Sequence, residues 1–407
     1  MSLRSTINKL GPGLLYAAAA IGVSHLVQST RAGANYGFEL VWVILLANVL
    51  KYPFYKIGPL YTTLTGKSLL SAYRKQGRWA VATFLIMTLT TMFTIQAAVT
   101  IVSAGLFSEI FGLPINLISQ AYIILTFSAL LIIIGKYQIL DSFIKFVIIL
   151  LTVTTLFSVI ASFTTITPSE TPTRSFSFLN TADIFFFIAL IGWMPAPMDI
   201  PVWHSLWTVA KLKDSKISIK DSLLDFNIGF IGTAILAIAF LSLGAIIMHP
   251  TGEKFAASAT GFSSQLISLY TNSLGSWAYI LIAAAAFTTM LSTTITCLDA
   301  FGRITSESFK EFGVYNVLKS QTLWVMLTSI GASVILSFYI KNMKLLVDIA
   351  TSVSFVAAPI YAYLNFKVII SDEIPEKHRY KRPEIVLCYI GLVFFTCFSL
   401  YFISLKI

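Results

Sequence analysis

The chain is built from long runs of apolar residues, each about as long as the roughly 20 residues that a helix needs to cross a lipid bilayer. Eleven such runs follow one another, and no segment between them is long enough for a soluble domain. The runs do not alternate between apolar and polar residues, which is the pattern of a membrane β-barrel. Backbone groups in lipid must then be satisfied within helices. The sequence predicts an all-α integral membrane protein.

These runs are called spans 1 to 11. They cover approximately residues 11–33, 37–59, 79–109, 118–135, 139–166, 181–209, 222–249, 276–300, 322–340, 344–369 and 384–405.

Composition excludes a soluble protein and argues against a nucleic-acid partner. Hydrophobic residues make up 57% of the chain and charged residues only 11%, whereas soluble proteins have about 25% charged residues. The formal net charge is +10, but the basic residues are dispersed between apolar runs and form no basic arm interleaved with aromatic residues. The lipid bilayer is the expected partner, and no obligate protein partner is indicated.

The positions of the 28 Lys and Arg residues predict the orientation. With the N-terminus in the cytoplasm, 20 of them fall on the cytoplasmic side and six outside, while Lys51 and Lys145 lie within spans. This asymmetry agrees with the positive-inside rule. We therefore expect a multi-pass protein of the cell (inner) membrane with a cytoplasmic N-terminus and, because the number of spans is odd, an outside C-terminus.

Two spans carry residues that interrupt a helix, and they are five spans apart. Span 1 contains the sequence GVSH at 22–25, and span 6 contains PAPMDIP at 195–201, with three prolines in seven residues. Proline removes an amide donor and clashes with the preceding turn. Broken helices at matching positions of two inverted repeats are typical of secondary transporters, whose substrate sites lie at the breaks. A simple kink in a packed helix is the alternative.

The spacing predicts a LeuT-type fold with a 5+5 inverted repeat and 11 transmembrane helices. Residues 11–166 would form repeat one with helices 1–5, residues 181–369 repeat two with helices 6–10, and residues 384–405 an added helix 11. The whole chain, 1–407, would be a single membrane transport domain.

Short sequence segments in several spans resemble the Nramp family of proton-coupled divalent-metal transporters. The segments are GPGLL at 11–15, AGANYG at 32–37, VWVILLAN at 41–48, FGLP at 111–114 and STTIT at 292–296. The chain is similar to this family over its whole length in architecture. The resemblance implies a proton-coupled carrier of a divalent metal cation that works by alternating access.

The residues that bind metal in that family are replaced here. By alignment from 32–34, the family's Asp-Pro-Gly-Asn falls on residues 22–25, so its metal-binding carboxylate becomes Gly22. The family's Met-Pro-His falls on 196–198, so its methionine becomes Ala196, and Trp193 replaces the small residue one turn earlier. Gly22 and Ala196 provide only carbonyl oxygens, whereas a dehydrated divalent cation needs a fuller ligand set. In span 3, the acidic residues of the family's proton route fall on Gln96 and Val99.

The two breaks retain one imidazole, His25, and one carboxylate, Asp199. Placing an ionisable group within a membrane span costs free energy, so His25 and Asp199 are both functional candidates and candidate metal ligands. The alternative role of His25 is structural, as a hydrogen-bond partner of a free carbonyl, and the alternative role of Asp199 is to cap the second half of span 6. The predicted substrate-binding residues are Gly22, His25, Trp193, Ala196, Asp199 and Thr351, although Trp193 is also compatible with a place in the core.

Hydroxyl groups of span 8 suggest a site for a coupling ion. Ser292 and Thr296 could join carbonyls of span 1 around a sodium ion, as in several LeuT-type carriers, but such residues also satisfy carbonyls in ordinary membrane helices. No motif of a metalloprotease, a P-loop or a serine hydrolase occurs, so neither an enzyme nor a resident cofactor is expected.

The sequence thus supports two substrates on one scaffold. The first is a divalent metal cation bound at a non-standard site. The second is a small organic solute carried with sodium or protons, with Trp193 and His25 lining an organic pocket after metal binding has been lost. A sensor or structural membrane protein is a third interpretation, and no loop is long enough to favour it.

Overall fold

The computed structural model describes residues 11–135, 137–165, 175–214, 216–313 and 316–405. Several cations in the orientation count, namely Arg4, Lys9, Lys136, Arg174 and Lys406, lie outside these residues, as does the side chain of Lys145. All regular structure in the described part of the chain is helical, which confirms the predicted all-α class.

Each predicted apolar span coincides with one helix or with an interrupted pair. Span 1 comprises Pro12–Ala20, the π-helical turn Ser24–Ser29 and Thr30–Tyr36, and span 6 comprises Thr181–Trp193 and Ile200–Asp214. The helices of spans 2 to 5 are Val41–Thr65, Arg78–Phe111, Leu117–Ile133 and Tyr137–Thr165. Those of spans 7 to 11 are Ile219–Leu243 (continued by the π-helical turn Gly244–Met248), Ala278–Phe312, Gln321–Tyr339, Met343–Ile369 and Arg382–Ser404.

Among the described residues, six helices are both long and apolar enough to cross a membrane. They are the helices of spans 3, 7, 8, 9, 10 and 11. Three shorter apolar helices, Leu117–Ile133, Ile149–Phe163 and Thr181–Trp193, lie within spans 4, 5 and 6. The protein is therefore built to cross a membrane several times, and the count of eleven crossings stays a prediction.

Two segments that the sequence suggests to be loops contain helix. One helix, Leu69–Gln76, connects spans 2 and 3, and another, Ala259–Leu274, connects spans 7 and 8. Span 8 also continues to Phe312, about three turns beyond its apolar run. Ion pairs one turn apart, Arg303 with Asp299 and Lys310 with Glu307, stabilise this polar extension. Hydropathy misses such segments because each helix buries only one apolar face and carries polar residues on the other.

Spans 1 and 7 cross so closely that only glycine fits at their contacts. A Cβ atom on Gly33 would lie 1.9 Å from the Leu241 carbonyl oxygen, and one on Gly244 would lie 2.2 Å from the Thr30 carbonyl oxygen. At the other end of span 1, the Asp225 carboxylate of span 7 accepts a 2.7 Å hydrogen bond from the Gly13 amide. Small residues allow membrane helices to approach in this way. Span 7 therefore holds both halves of the broken span 1.

We expect Gly33→Ala to destabilise the purified protein, because its new methyl group would collide with the backbone of span 7. Overpacking of this kind costs about 1–3 kcal/mol, so the midpoint of thermal unfolding in detergent should fall by several degrees. The matched control is Gly232→Ala in span 7, where a Cβ atom would meet nothing within 4 Å. Equal melting of the two variants would contradict the close crossing.

Candidate functional site

The break in span 1 lies between Ala20 and Ser24, and span 8 packs directly against it. A Cβ atom on Gly22 would lie 2.8 Å from the Thr293 side chain, so a larger residue at position 22 requires Thr293 to move. The Gly22 carbonyl accepts hydrogen bonds from the amides of His25 (3.1 Å) and Leu26 (2.9 Å). This carbonyl, predicted as a substrate ligand, is therefore already used to restart the helix.

Thr293 is the span 8 residue that bonds to the break in span 1. Its hydroxyl lies 3.2 Å from the Ala18 carbonyl oxygen, 3.1 Å from that of Ile21 and 3.0 Å from that of Thr289 in its own helix. One proton is thus shared among three acceptors. The predicted pair lies on another face of the helix: Thr296 donates to the Ser292 carbonyl at 2.8 Å, and the Ser292 hydroxyl is buried. Sequence spacing could not distinguish these two faces.

His25 connects the break in span 1 to span 7. Its Nε2 donates to the Thr233 carbonyl at 3.0 Å, since a carbonyl can only accept, and its Nδ1 lies 2.7 Å from the Ser24 hydroxyl oxygen. The ring is completely buried. Both ring nitrogens have protein partners, so a metal ion could bind His25 only by displacing Ser24 or Thr233. This geometry agrees with the structural role that the sequence left open.

The break in span 6 consists of the residues between Trp193, where the first helix ends, and Ile200, where the second helix begins. The three prolines account for it, because none of them can donate to the turn before it. Helix restarts with the Val202 amide donating to the Asp199 carbonyl at 2.9 Å. Carbonyl groups at the end of the first helix and in the unwound stretch consequently lose their regular α-helical partners, although the Ile191 carbonyl still accepts from the Met194 amide at 3.2 Å.

A lysine of span 2 contacts the carbonyl groups at the break in span 6. The Lys51 ammonium donates to the carbonyls of Ile191 (2.7 Å), Gly192 (3.0 Å) and Ala196 (2.9 Å). It is completely buried. Tyr55, one turn further along span 2, places its hydroxyl 2.6 Å from the same Ala196 carbonyl oxygen. The Ala196 carbonyl, predicted as a substrate ligand, is therefore held by two side chains of span 2.

Sequence analysis did not select Lys51 as a site residue. The available signal was a single lysine in the middle of an apolar span, which is costly unless the ammonium has partners. What the sequence could not supply was the set of carbonyls opposite it, because they belong to residues about 140 positions later in the chain.

Asp199 is a buried carboxylate without a hydrogen-bond partner. Only 1% of the residue is exposed, and neither carboxylate oxygen accepts a hydrogen bond within the described part of the chain. The Trp203 indole is nearby but does not reach hydrogen-bond geometry. The predicted capping role is therefore not seen. Asp199 is close enough to Lys51 for the two charges to interact, and no direct ion pair joins them.

Trp193 and Thr351 lie where spans 6 and 10 touch. The Trp193 indole donates to the Ser354 hydroxyl at 2.8 Å. The Thr351 hydroxyl donates to the Val347 carbonyl at 2.7 Å and is approached at 3.4 Å by the Gln28 amide nitrogen of span 1. Gly192 packs beside it, since a Cβ atom there would lie 2.2 Å from the Thr351 carbonyl oxygen. The structure therefore places Thr351 beside the first half of span 6, and its role in binding stays a prediction.

A cavity of about 20 Å³ separates the two breaks. Ser24, Val99, Trp193, Trp203 and Thr293 are among the residues that line it. This volume accommodates about one water molecule, so any larger substrate requires the helices to move apart. Val99, where the family resemblance predicts the loss of an acidic residue, and Ile95 make the span 3 wall of this cavity apolar.

An ion pair between spans 1 and 10 closes one end of the bundle. Arg31 contacts Asp348 at 2.5 Å, with its side chain 8% exposed and that of Asp348 29% exposed. The guanidinium also lies over the Phe186 ring, 4.5 Å from its centre. Other polar contacts lie at the opposite end. Glu373 contacts Tyr61 and Lys75, and Lys56 contacts Glu384. The central cavity therefore lies between two sets of polar contacts.

Metal-binding side chains are scarce in this arrangement. Among the residues that the structure describes, no three His, Cys, Asp or Glu side chains come together in a group that could hold a metal ion. The site instead offers one free carboxylate, one ammonium held by carbonyls, and a small cavity. These groups suit the reversible binding of a positively charged group at the Asp199 carboxylate. They are less suited to enclosing a dehydrated divalent cation.

Protein sequences related to the chain include one named as a divalent metal cation transporter. The family model described as "Nramp: Natural resistance-associated macrophage protein-like" matches residues 13–405. An uncharacterized protein of Pasteurella multocida is 36% identical over 402 residues, which cover 97% of this chain and 92% of that protein. The divalent metal cation transporter MntH of Vibrio campbellii is 22% identical over 313 residues, which cover 75% of this chain and 71% of that protein.

Solved structures with a similar fold are also transporters. The crystal structure of the Eremococcus coleocola manganese transporter, in complex with an aromatic bis-isothiourea substituted compound, matches with a TM-score of 0.75 at 15% identity. That match covers 98% of this chain and 87% of the other. MhsT in complex with L-phenylalanine matches with a TM-score of 0.64 at 15% identity, covering 96% and 98%. At these identities the similarity concerns the fold alone, and it confirms the predicted LeuT-type architecture.

Proposed function

The chain belongs to the Nramp family, and on that premise we propose that it is a secondary-active transporter working by alternating access at the breaks in spans 1 and 6. Two broken helices that face each other across a closed cavity support this proposal, because unwound turns supply the polar groups of transporter sites. The polar contacts at the two ends would open in turn.

The proposed substrate is a cation, and the family favours a divalent metal. The observation that carries this proposal is Asp199, a buried carboxylate whose oxygens have no hydrogen-bond partner among the described residues. An unpaired buried charge is costly, and an incoming cation would relieve that cost. His25, Thr351 and the carbonyls of Gly22 and Ala196 remain proposed ligands, although each of these groups would first have to exchange a contact that it makes with the protein.

A small organic solute is the second candidate, and Lys51 is the observation that favours it. A buried ammonium beside the site repels a divalent ion and occupies the carbonyls that such an ion would need. In this alternative, Trp193 and His25 line the enlarged cavity of the open carrier.

Uptake into proteoliposomes distinguishes the two candidates. We would reconstitute the purified protein and measure accumulation of manganese, magnesium and calcium, with calorimetric titration of the same ions into the protein in detergent. Accumulation of one of these metals above empty liposomes supports the first candidate. Silence towards all three metals, together with uptake from a panel of labelled amino acids and carboxylic acids, would replace it with the second.

Several finer features belong to the same proposal. We propose Ser292 and Thr296 as part of a coupling-ion site, repeats at 11–166 and 181–369 with an added helix at 384–405, and residence in the cell membrane with the N-terminus in the cytoplasm. Replacing external sodium by choline, and separately collapsing the proton gradient, would identify the coupling ion. Protease access to a tag at each terminus of the protein in sealed cells would test the orientation.

A further inference from the structure

We infer that the Lys51 ammonium occupies a cation position of the broken span 6 and competes with any cation that binds there. The inference rests on the proposed function only in taking this break as the transport site. It assigns Lys51 as a specificity-determining residue of the carrier.

The coordination of Lys51 resembles that of a bound ion. An ammonium has three N–H donors, and three carbonyl oxygens lie 2.7 to 3.0 Å from Lys51 Nζ. Carbonyl oxygens freed by a helix break are also what LeuT-type carriers use to coordinate monovalent ions. The ammonium therefore replaces an external cation with a positive charge carried by the chain itself.

A simple helix-capping role does not account for the whole arrangement. Carbonyls of Ile191 and Gly192 belong to the end of the first helix of span 6, where any cation is favoured. Ala196, in contrast, lies beyond that helix in the unwound stretch, and its carbonyl is also bonded to Tyr55. Lys51 thus joins both sides of the break.

The charges of the site lead to the same conclusion. Lys51 and Asp199 together are neutral when both are ionised, and they are close enough to interact. A divalent ion added to this pair would leave a net charge of +2 in a buried space, whereas without the ammonium it would leave +1. Binding of a metal is consequently weak until Lys51 loses its charge or leaves the carbonyls.

The inference predicts that removing the ammonium strengthens cation binding. We would titrate manganese into the wild type, Lys51→Met and Lys51→Gln, in detergent and without sodium. Methionine keeps most of the apolar stem, and glutamine keeps N–H donors for the carbonyls without the charge. Both variants should bind manganese at least about tenfold more tightly than the wild type. Lys67→Met is the matched control, because Lys67 lies just beyond the end of the same helix and is exposed.

A chemical rescue tests the position itself. Lys51→Ala leaves space for a small cation, so methylammonium should raise its melting temperature and weaken its manganese binding, with neither effect in the wild type. If Lys51→Met fails to fold, Lys51→Gln and this rescue still decide the question.

The outcomes separate the inference from the proposed function. Wild type that takes up manganese, with folded Lys51 variants that bind it no more tightly, overturns the inference and leaves metal transport standing. Wild type that is silent, with variants that bind manganese, supports the inference and removes metal as the substrate. Folded variants that bind neither manganese nor methylammonium overturn the inference.

Discussion

Replacing Asp199 by asparagine should abolish cation uptake while leaving the protein folded. Asp199 is the one carboxylate among the described residues of the two breaks, and no donor within the described chain satisfies it. Losing one partner of a buried charge pair costs about 3–5 kcal/mol, which corresponds to a fall in cation affinity of about 100-fold or more. Uptake of the transported ion into proteoliposomes, at concentrations below the KM of the wild type, measures this loss.

Stability should respond in a different way from uptake. Because the carboxylate accepts no hydrogen bond among the described residues, removing its charge abolishes a desolvation cost without breaking such a bond. Lys51 keeps its three carbonyl partners. The same change removes the attraction between Asp199 and Lys51, which opposes this gain, so the melting temperature of Asp199→Asn should stay close to that of the wild type. Asp372→Asn, which changes an exposed carboxylate paired with Arg379, is the control for both measurements. An active Asp199→Asn transporter would exclude Asp199 as a cation ligand.

The sequence predicted the location of the site better than its contacts. Prolines and glycines cannot continue a regular helix, so the breaks in spans 1 and 6 followed from local chemistry. The same reasoning treated the carbonyls of Gly22 and Ala196 as free ligands. In the structure they accept from the amides of His25 and Leu26 and from the side chains of Lys51 and Tyr55.

Long-range contacts explain most of what the sequence could not predict. The Thr233 carbonyl that bonds His25 is 208 positions away in the chain, and the rotation of span 8 that presents Thr293 to span 1 is set by packing. Hydropathy records that a residue lies within an apolar run, but it does not record the neighbouring helix that its side chain meets. For this reason the sequence showed Lys51 as an unusual charge within an apolar span, but it did not show which groups the ammonium contacts.

The proposed alternating access would make the ion pair of Arg31 and Asp348 a point of control. It joins spans 1 and 10 at one end of the closed cavity. Gln28 adds a weaker contact of 3.4 Å to the same carboxylate. Opening this end requires all of these contacts to separate, so their strength sets how often the site is exposed there.

Removing the pair should make that end of the bundle more accessible. Ser352 lines a cavity of about 420 Å³ together with Arg31 and Asp348, so a cysteine at this position reports opening. In a Cys397→Ser background, which lacks the one exposed cysteine, we expect Asp348→Ala to raise the labelling rate of Ser352→Cys by an impermeant maleimide about tenfold. A tenfold change corresponds to about 1.4 kcal/mol. This free energy lies between the contributions typical of exposed ion pairs and the cost of breaking buried ion pairs.

Charge reversal distinguishes a gate from a local packing defect. The double variant Arg31→Asp/Asp348→Arg restores an attraction between the two spans and should return labelling towards the rate of the background protein, whereas Arg31→Asp alone should leave it high. Asp372→Ala, which breaks an exposed ion pair elsewhere, should leave labelling unchanged. Equal labelling in all variants would mean that Phe186 and the packed helices, rather than the ion pair, keep this end closed, because the Arg31 guanidinium also rests on that ring.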